Sequence, residues 1–257
     1  MCLIAFDWQP GARIWLRLSA NRDEFHQRPA APLQRWDDVP TVIAGRDLSQ
    51  GGTWLGVSDL GRIAALTNVR APGAGPAEPV SRGHLATDWL NSEQTPQAFA
   101  TQLLQRAHEF APFNLLIGTT TELLHISNYP QPVITQVTPG IHGLSNAGLD
   151  TPWPKTCLAT ELLAATPLTD APTGDASDAL ASLLSRRDTF ADDQLPATGV
   201  PLEWERLLSA PFIVAQGYGT RCSTGLLAGQ YSASVTEIRW DARGDESGRS
   251  QMAFDWR

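Results

Sequence analysis

Lysine is almost missing from this chain. Lys155 is the only one, so arginine supplies nearly all of the 19 basic side chains. Acidic residues exceed them and leave a formal net charge of -8, which gives no electrostatic footprint for nucleic acid or an anionic membrane surface. Cysteine is sparse: Cys2, Cys157 and Cys222 build no disulfide framework, and a reducing cytoplasm is the expected compartment. No run of about 18 apolar residues is present, so no integral membrane association is expected. Met1–Phe6 lacks the basic and apolar regions of a secretory signal. No repeat of roughly 20–50 residues is visible. Zinc, EF-hand, phosphate-loop, dinucleotide and nucleophile-elbow patterns are also missing. The five histidines, His26, His84, His108, His125 and His142, have no metal-ligand spacing, and no metal is expected.

What is present is enough apolar residue, 42% of 257, for one sizeable core. No linker divides the chain, so residues 1–257 read as one domain. Cys2–Phe6 is a continuous apolar run, suited to a strand covered on both faces. Pro10-Gly11 turns the chain and Arg13–Ser19 alternates, which makes a hairpin and brings Cys2 near Asn21–Asp23. A second hairpin is expected from Thr53–Val57 and Arg62–Asn68, followed by a Pro/Gly-rich loop over Ala71–Val80. Thr95-Pro96 marks a helix start. Short strands are expected at Leu115–Ile117, Leu123–Ser127, Val133–Val137 and Ile141–Ser145. Helices follow at Pro154–Ala165 and Ala176–Leu184, with a loop over Thr166–Asp175 between them. Strands return at Phe212–Ala215, Arg221–Leu227, Val235–Trp240 and Met252–Trp256. Strands, helices, strands, helices, strands is an α+β order with hairpin-connected antiparallel sheets, not a βαβ series.

The second residue carries the chemical interest. If Met1 is removed, Cys2 holds a thiol and a free α-amine together, with ordinary pKa values of about 8.5 and about 7.7–8.0. One residue then offers both a nucleophile and a base, and Arg22 offers the cationic setting a thiolate needs. The plainer alternative is a buried cysteine acting as a small hydrophobe. Four polar spots end or interrupt apolar strands: Asn21-Arg22-Asp23-Glu24, Thr67-Asn68-Val69-Arg70, Ser145-Asn146 and Gly219–Thr224. Each alone reads as a cap or turn. Together they suit acyl chemistry, with asparagine amides for an oxyanion, an aspartate for the amine and arginines for a carboxylate. Gly51-Gly52-Thr53-Trp54-Leu55-Gly56 reads as a turn or as a wall of that site.

These stretches resemble the NRDE family, the transport and Golgi organisation family. The matching residues are Met1–Ile4, Ala20–Phe25 with Arg28-Pro29, Gly51–Gly56, Leu66–Asn68 and Gly143–Asn146. The resemblance implies an N-terminal nucleophile hydrolase fold, a four-layer αββα sandwich of two mainly antiparallel sheets. It implies that Cys2 is nucleophile and base, that Asp23 orients its amine, and that Asn146 helps form an oxyanion hole. Asn21, Arg22, Glu24, Asn68 and Arg221 would bind or polarise a small-molecule substrate containing an amide, with no cofactor. One departure is that Arg22 and Asp23 are adjacent, so on a strand they face opposite sides. The same resemblance implies a second, non-enzymatic role in haem trafficking linked to membrane and lipid homeostasis, with haem as cargo and Cys2, His26 and His84 as candidate ligands. In a third reading the motif is only a structural staple.

Overall fold

The computed structural model describes residues 2–257; Met1, on which the processing expectation falls, lies outside them. The strands of the first half are β1 (Cys2–Trp8), β2 (Ile14–Phe25), β3 (Ala30–Arg35), β4 (Val42–Asp47), β5 (Leu55–Ser58) and β6 (Arg62–Asn68). Helices α1 (Gly83–Leu90) and α2 (Pro96–Gln105) come next, then β7 (Phe113–Gly118), β8 (Leu123–Ser127), β9 (Val133–Gln136) and β10 (Gly140–Leu144). Helices α3 (Pro154–Ala165), α4 (Gly174–Ser182) and α5 (Leu202–Leu207) lead to β11 (Val214–Ala215), β12 (Tyr218–Gly229), β13 (Ser232–Trp240) and β14 (Glu246–Asp255).

Two antiparallel sheets result. One has the order β10-β1-β2-β12-β13-β14, with β11 beside β12; the other runs β3-β4-β5-β6-β7-β8-β9. The period-2 alternation of β1 explains its central place. Ile4, Phe6 and Trp8 face the other sheet and meet Ile43, Val57 and Leu116. Leu3 and Ala5 face the opposite way, onto Ala159 and Leu163 of α3 and Leu180 of α4. On the far side, Ala64 and Leu66 of the second sheet pack under Leu85 and Trp89 of α1 and Leu103 of α2. The layers are therefore helices, sheet, sheet, helices, which is the expected αββα sandwich. Fully burying one such leucine, isoleucine or phenylalanine is worth about 1.5–3 kcal/mol, so three apolar layers hold the sheets in register.

The β1–β2 hairpin has the expected register, with Cys2 opposite Arg22 and Leu3 opposite Asn21. The polar motif does not end its strand, however. β2 runs on through Asn21–Glu24 to Phe25 because β12 pairs its other edge, with Asn21 opposite Ser223 and Asp23 opposite Thr220. Among the described residues no helix is long and apolar enough to cross a membrane.

Candidate active site

Cys2 begins a central strand at the end of the sandwich, where its half-buried side chain lines a cavity of about 250 Å³. Arg22, Asp23, Glu24, Asn68, Trp54 and Arg82 are also on its walls. The adjacency of Arg22 and Asp23 therefore does not separate them from Cys2. Arg22 is directly across the ladder from Cys2 and shares its side of the sheet, facing the second sheet. There its guanidinium lies 4.2 Å above the Trp54 ring and 3.5 Å from Asp47. Its Nη1 is buried without a hydrogen-bond partner among the described residues. Asp23, the next residue of β2, turns its side chain to the opposite, helical side of the sheet.

Asp23 is 1% exposed and accepts a hydrogen bond of 2.8 Å from Thr220 Oγ1. Burial pushes its carboxyl up, against the opposing pull of Lys155. Burial likewise pushes the Cys2 thiol up and outweighs the lowering by Arg22, so the expected cationic setting is present but desolvation dominates. Asp47 shows the opposite balance. Burial raises it, but Arg28 at 2.6 Å and the Ser49 and Gln50 backbone N–H groups hold it below the ordinary carboxylate range.

Trp54 owes its position to close backbone contact. A Cβ on Gly45 would lie 2.6 Å from the Trp54 ring, so the indole is held between that glycine and Arg22. At Gly52 a Cβ would come within 2.3 Å of the Gly83 carbonyl carbon. The Gly51-Gly52 turn is thus pressed onto the start of α1, which fixes the wall carrying Arg82. Of this segment, Gly52, Thr53 and Trp54 line the Cys2 cavity.

The asparagines divide into supports and cavity walls. Asn21 is a brace: its Nδ2 donates to the carbonyls of Leu184 and Pro211, both at 2.8 Å, and its Oδ1 accepts from Ser223 at 2.6 Å. Asn146 is wholly buried and donates from Nδ2 to the Asn68 carbonyl at 2.9 Å. It does not line the Cys2 cavity, whereas Asn68 does, and the Asn68 side-chain amide makes no hydrogen bond among the described residues. Ser145 Oγ donates to the Cys2 carbonyl at 3.0 Å and ties this loop to β1. Arg221, at the bulge between Thr220 and Cys222, donates to the carbonyls of Phe25 and Arg28 at 2.8 and 3.0 Å. It fixes the turn after β2 and lies off the cavity wall. Glu24 is on the wall and accepts from the Phe25 N–H at 2.8 Å.

One support, Asn114, lies outside the polar spots picked out in the sequence. Asn114 of β7 donates to the Ala147 carbonyl at 2.7 Å and to Thr67 Oγ1 at 3.2 Å, while Thr67 donates to the Ser145 carbonyl at 2.5 Å. With its Nδ2 so used, Asn114 offers Oδ1 to His125 Nε2, 3.0 Å away, and the ring donates as the neutral Nε2–H tautomer. Burial drives the His125 pKa down to about 4. Unfolded, it titrates near 6.5. Between those values the unfolded chain binds the extra proton, so stability falls as pH falls through about 6.5 and levels off below about 4. The full effect is about 3 kcal/mol. Urea midpoints at pH 7 and pH 4.5 should show a smaller acid loss in His125→Gln, which keeps a donor to Asn114 and has no such titration.

A family model described as Transport and Golgi organisation 2 matches residues 1–241. The chain belongs to this family. The mouse "Transport and Golgi organization 2 homolog" and its human counterpart are each 33% identical over 174 residues. That match covers 63% of this chain and 63% of each relative, so less than two thirds of their length is matched. Among solved structures, a Caenorhabditis elegans N-acylethanolamine-hydrolyzing acid amidase ortholog is similar at 12% identity. It covers 88% of this chain and 92% of its own, with a TM-score of 0.49. A mutant conjugated bile acid hydrolase from Clostridium perfringens is similar at 9% identity over 99% and 92%, with a TM-score of 0.49.

The haem-ligand candidates do not converge. His26 is half-buried near Gly219 and lines neither the Cys2 cavity nor the one beside it. Burial, then Arg221, lowers its pKa. His84 is on α1 and lines a separate cavity of about 510 Å³. No histidine among the described residues lines the Cys2 cavity. Its neighbour, about 370 Å³, shares the Glu24, Asn68 and Arg82 walls but is otherwise mainly apolar, with Phe25, Trp204, Leu208 and Tyr218.

Proposed function

We propose that the Cys2 cavity is the active site of a cysteine-dependent hydrolase that cleaves an amide, a non-peptide C–N bond, in a small molecule. The supporting observation is that one cavity gathers the Cys2 side chain, Arg22, Asp23 and the Asn68 amide, which makes no hydrogen bond among the described residues. With Met1 removed, the α-amine of Cys2 accepts the thiol proton and the thiolate attacks the carbonyl carbon. Asn68 donates to the developing oxyanion, while Asn146 holds the Asn68 backbone in place; such a donor is worth about 3–4 kcal/mol in other acyl-transfer sites. The C–N bond then breaks, the leaving amine takes the proton from the α-ammonium, and water hydrolyses the thioester. No cofactor is required. The polar cavity receives the amide, and the apolar cavity beside it receives an apolar substituent. Three free cysteines accord with a reducing, cytoplasmic setting.

The test uses protein made in its own host. Intact mass reports Met1, and the N-terminal peptide is searched for an acyl increment after exposure to activated acyl esters and N-acyl amides. Loss of Met1 with acyl on Cys2 supports the reading, and retention of Met1 in active protein removes the self-base mechanism.

Haem carriage is the second reading, and it rests on a different place. The roughly 510 Å³ cavity has His84 beside Leu85, Phe99, Leu103 and Phe110, a donor among apolar walls. Titration with haem should give a Soret shift that His84→Ala abolishes and Cys2→Ala leaves intact; no shift in the wild type removes it.

A further inference from the structure

The one lysine of this chain is where a lysine is least comfortable. Lys155 is the second residue of α3, and a cation at a helix N-terminus opposes the macrodipole. It is 2% exposed, and its Nζ has no hydrogen-bond partner among the described residues. Buried ammonium groups are costly unless paired and hydrogen-bonded. Helix stability does not explain it, and neither does surface charge. The titratable groups that act on it belong to four other elements or loops: Asp23 on β2, then Arg70 after β6, Cys2 on β1 and Glu205 on α5. Arg70 Nη1 donates to Glu205 at 2.5 Å, while Arg70 Nε and Nη2 have no hydrogen-bond partner among the described residues. Glu205 also accepts from Thr198 N and Oγ1 at 2.8 and 2.6 Å. Glu205 is thus committed to Arg70 and Thr198, and Asp23 is the opposite charge that acts on Lys155 most strongly.

We propose that Lys155 is the positioning cation of the Cys2 site: from behind β2 it holds Asp23 ionised, and through Asp23 and its own charge it sets the reactivity of Cys2. This rests on the hydrolase reading for its purpose but not for its measurement. In a site this buried, Asp23 is pushed toward its protonated form, and Lys155 is the largest force acting against that. Arginine never releases its proton, whereas a buried lysine titrates near neutrality, and burial brings Lys155 down to about 8. Without Lys155, Asp23 takes a proton and stops orienting the amine, or stays charged and raises the thiol. Both outcomes slow Cys2.

A single lysine makes the test direct. Protein labelled with [13Cε]lysine gives one side-chain resonance. Its titration midpoint is expected near 8 in the wild type and lower in Asp23→Asn; a midpoint near the ordinary 10.5, or one unmoved by Asp23→Asn, overturns the proposal. The second readout is iodoacetamide alkylation of Cys2 against pH, followed on the N-terminal peptide of Met1-processed protein so that exposed Cys157 does not interfere. Lys155→Met is expected to slow it at least about 10-fold at pH 7 and move the profile to higher pH, while Lys155→Arg stays within about threefold. In the Asp23→Asn background Lys155→Met should add less than about twofold, since coupled residues are not additive. An unchanged profile in folded Lys155→Met, or an additive double variant, overturns the proposal and leaves the hydrolase reading standing. Should Lys155→Met fail to fold, the wild-type and Asp23→Asn titrations decide. Alkylation needs no substrate, so a protein that never acylates Cys2 fails the hydrolase reading while the lysine experiment still returns its own answer.

Discussion

Cys2→Ala is expected to abolish acylation, a loss of roughly 10³-fold or more, while the protein keeps its fold. The two halves of this expectation come from different features. No other thiol can take the place of Cys2. Cys222 is buried, its thiol is pushed well up by burial and then by Glu237, and Cys157 is exposed on α3, away from the cavity wall. The fold is safe because Cys2 is half-buried and at the end of its strand. Truncation to alanine leaves the Ser145 bond to the Cys2 carbonyl and the register with Arg22 untouched, at a stability cost of about 1 kcal/mol or less. Cys2→Ser should retain a trace of turnover, since the α-amine remains but the hydroxyl is a poorer nucleophile. Acyl-peptide mass, turnover and thermal melting measured together check the expectation. Full turnover in Cys2→Ala would end the catalytic assignment, and a collapsed melting curve would make Cys2 a core residue, the alternative the sequence left open.

How much of this was legible depends on whether a residue's partner is close in sequence. The β1–β2 hairpin could be read because a turn signal and two patterned strands fix the register locally, and that register put Cys2 against Arg22. The β5–β6 hairpin and the starts of α2 and α3 were legible for the same reason. Strands β3 and β4 were not, because Pro32, Pro40 and Gly45 break the β pattern, and only the neighbouring strands and the Trp54 ring on Gly45 explain the chain's path there. Helix α1 follows a Pro/Gly-rich loop, and its N-cap residue Arg82 makes no side-chain cap bond. Within the site, Asn21, Asn68 and Asn146 look alike in sequence. Their difference lies in partners more than forty residues away, such as Leu184 for Asn21 and Asn68 for Asn146. Lys155 was invisible for the opposite reason: a lysine in the first turn of a helix ordinarily points to water, and only the packing of α3 against β1 buries it.

Asp23→Asn is expected to cost about 10²–10³-fold in Cys2 acylation at neutral pH, with a stability loss that depends on pH in a diagnostic way. Asparagine keeps the shape and the acceptor for Thr220 Oγ1, so the pairing of β2 with β12 survives. What goes is the charge that, in the proposed mechanism, orients the Cys2 amine and that acts on Lys155. Breaking a buried pair commonly costs about 3–5 kcal/mol, because the remaining charge is stranded. Lys155 has an escape. With its pKa already near 8, releasing its proton at pH 7 costs only about 1.4 kcal/mol. The variant should therefore lose about 1–2 kcal/mol at pH 7 and close to nothing at pH 8.5. Below pH 8 the neutral folded lysine faces an unfolded chain whose lysine is protonated, so the unfolded state binds more protons and stability falls as pH falls, by up to about 1.4 kcal/mol per unit. The wild type escapes that slope because Asp23 keeps Lys155 charged, until Asp23, raised by burial, itself takes up a proton. Urea unfolding from pH 6 to 8.5 separates the possibilities. A loss of 3–5 kcal/mol that does not vary with pH, with alkylation of Cys2 unchanged, would make the Asn21–Glu24 motif a structural staple. A loss that fades above pH 8 together with a slow Cys2 makes Asp23 the residue through which the buried lysine and the N-terminal thiol communicate.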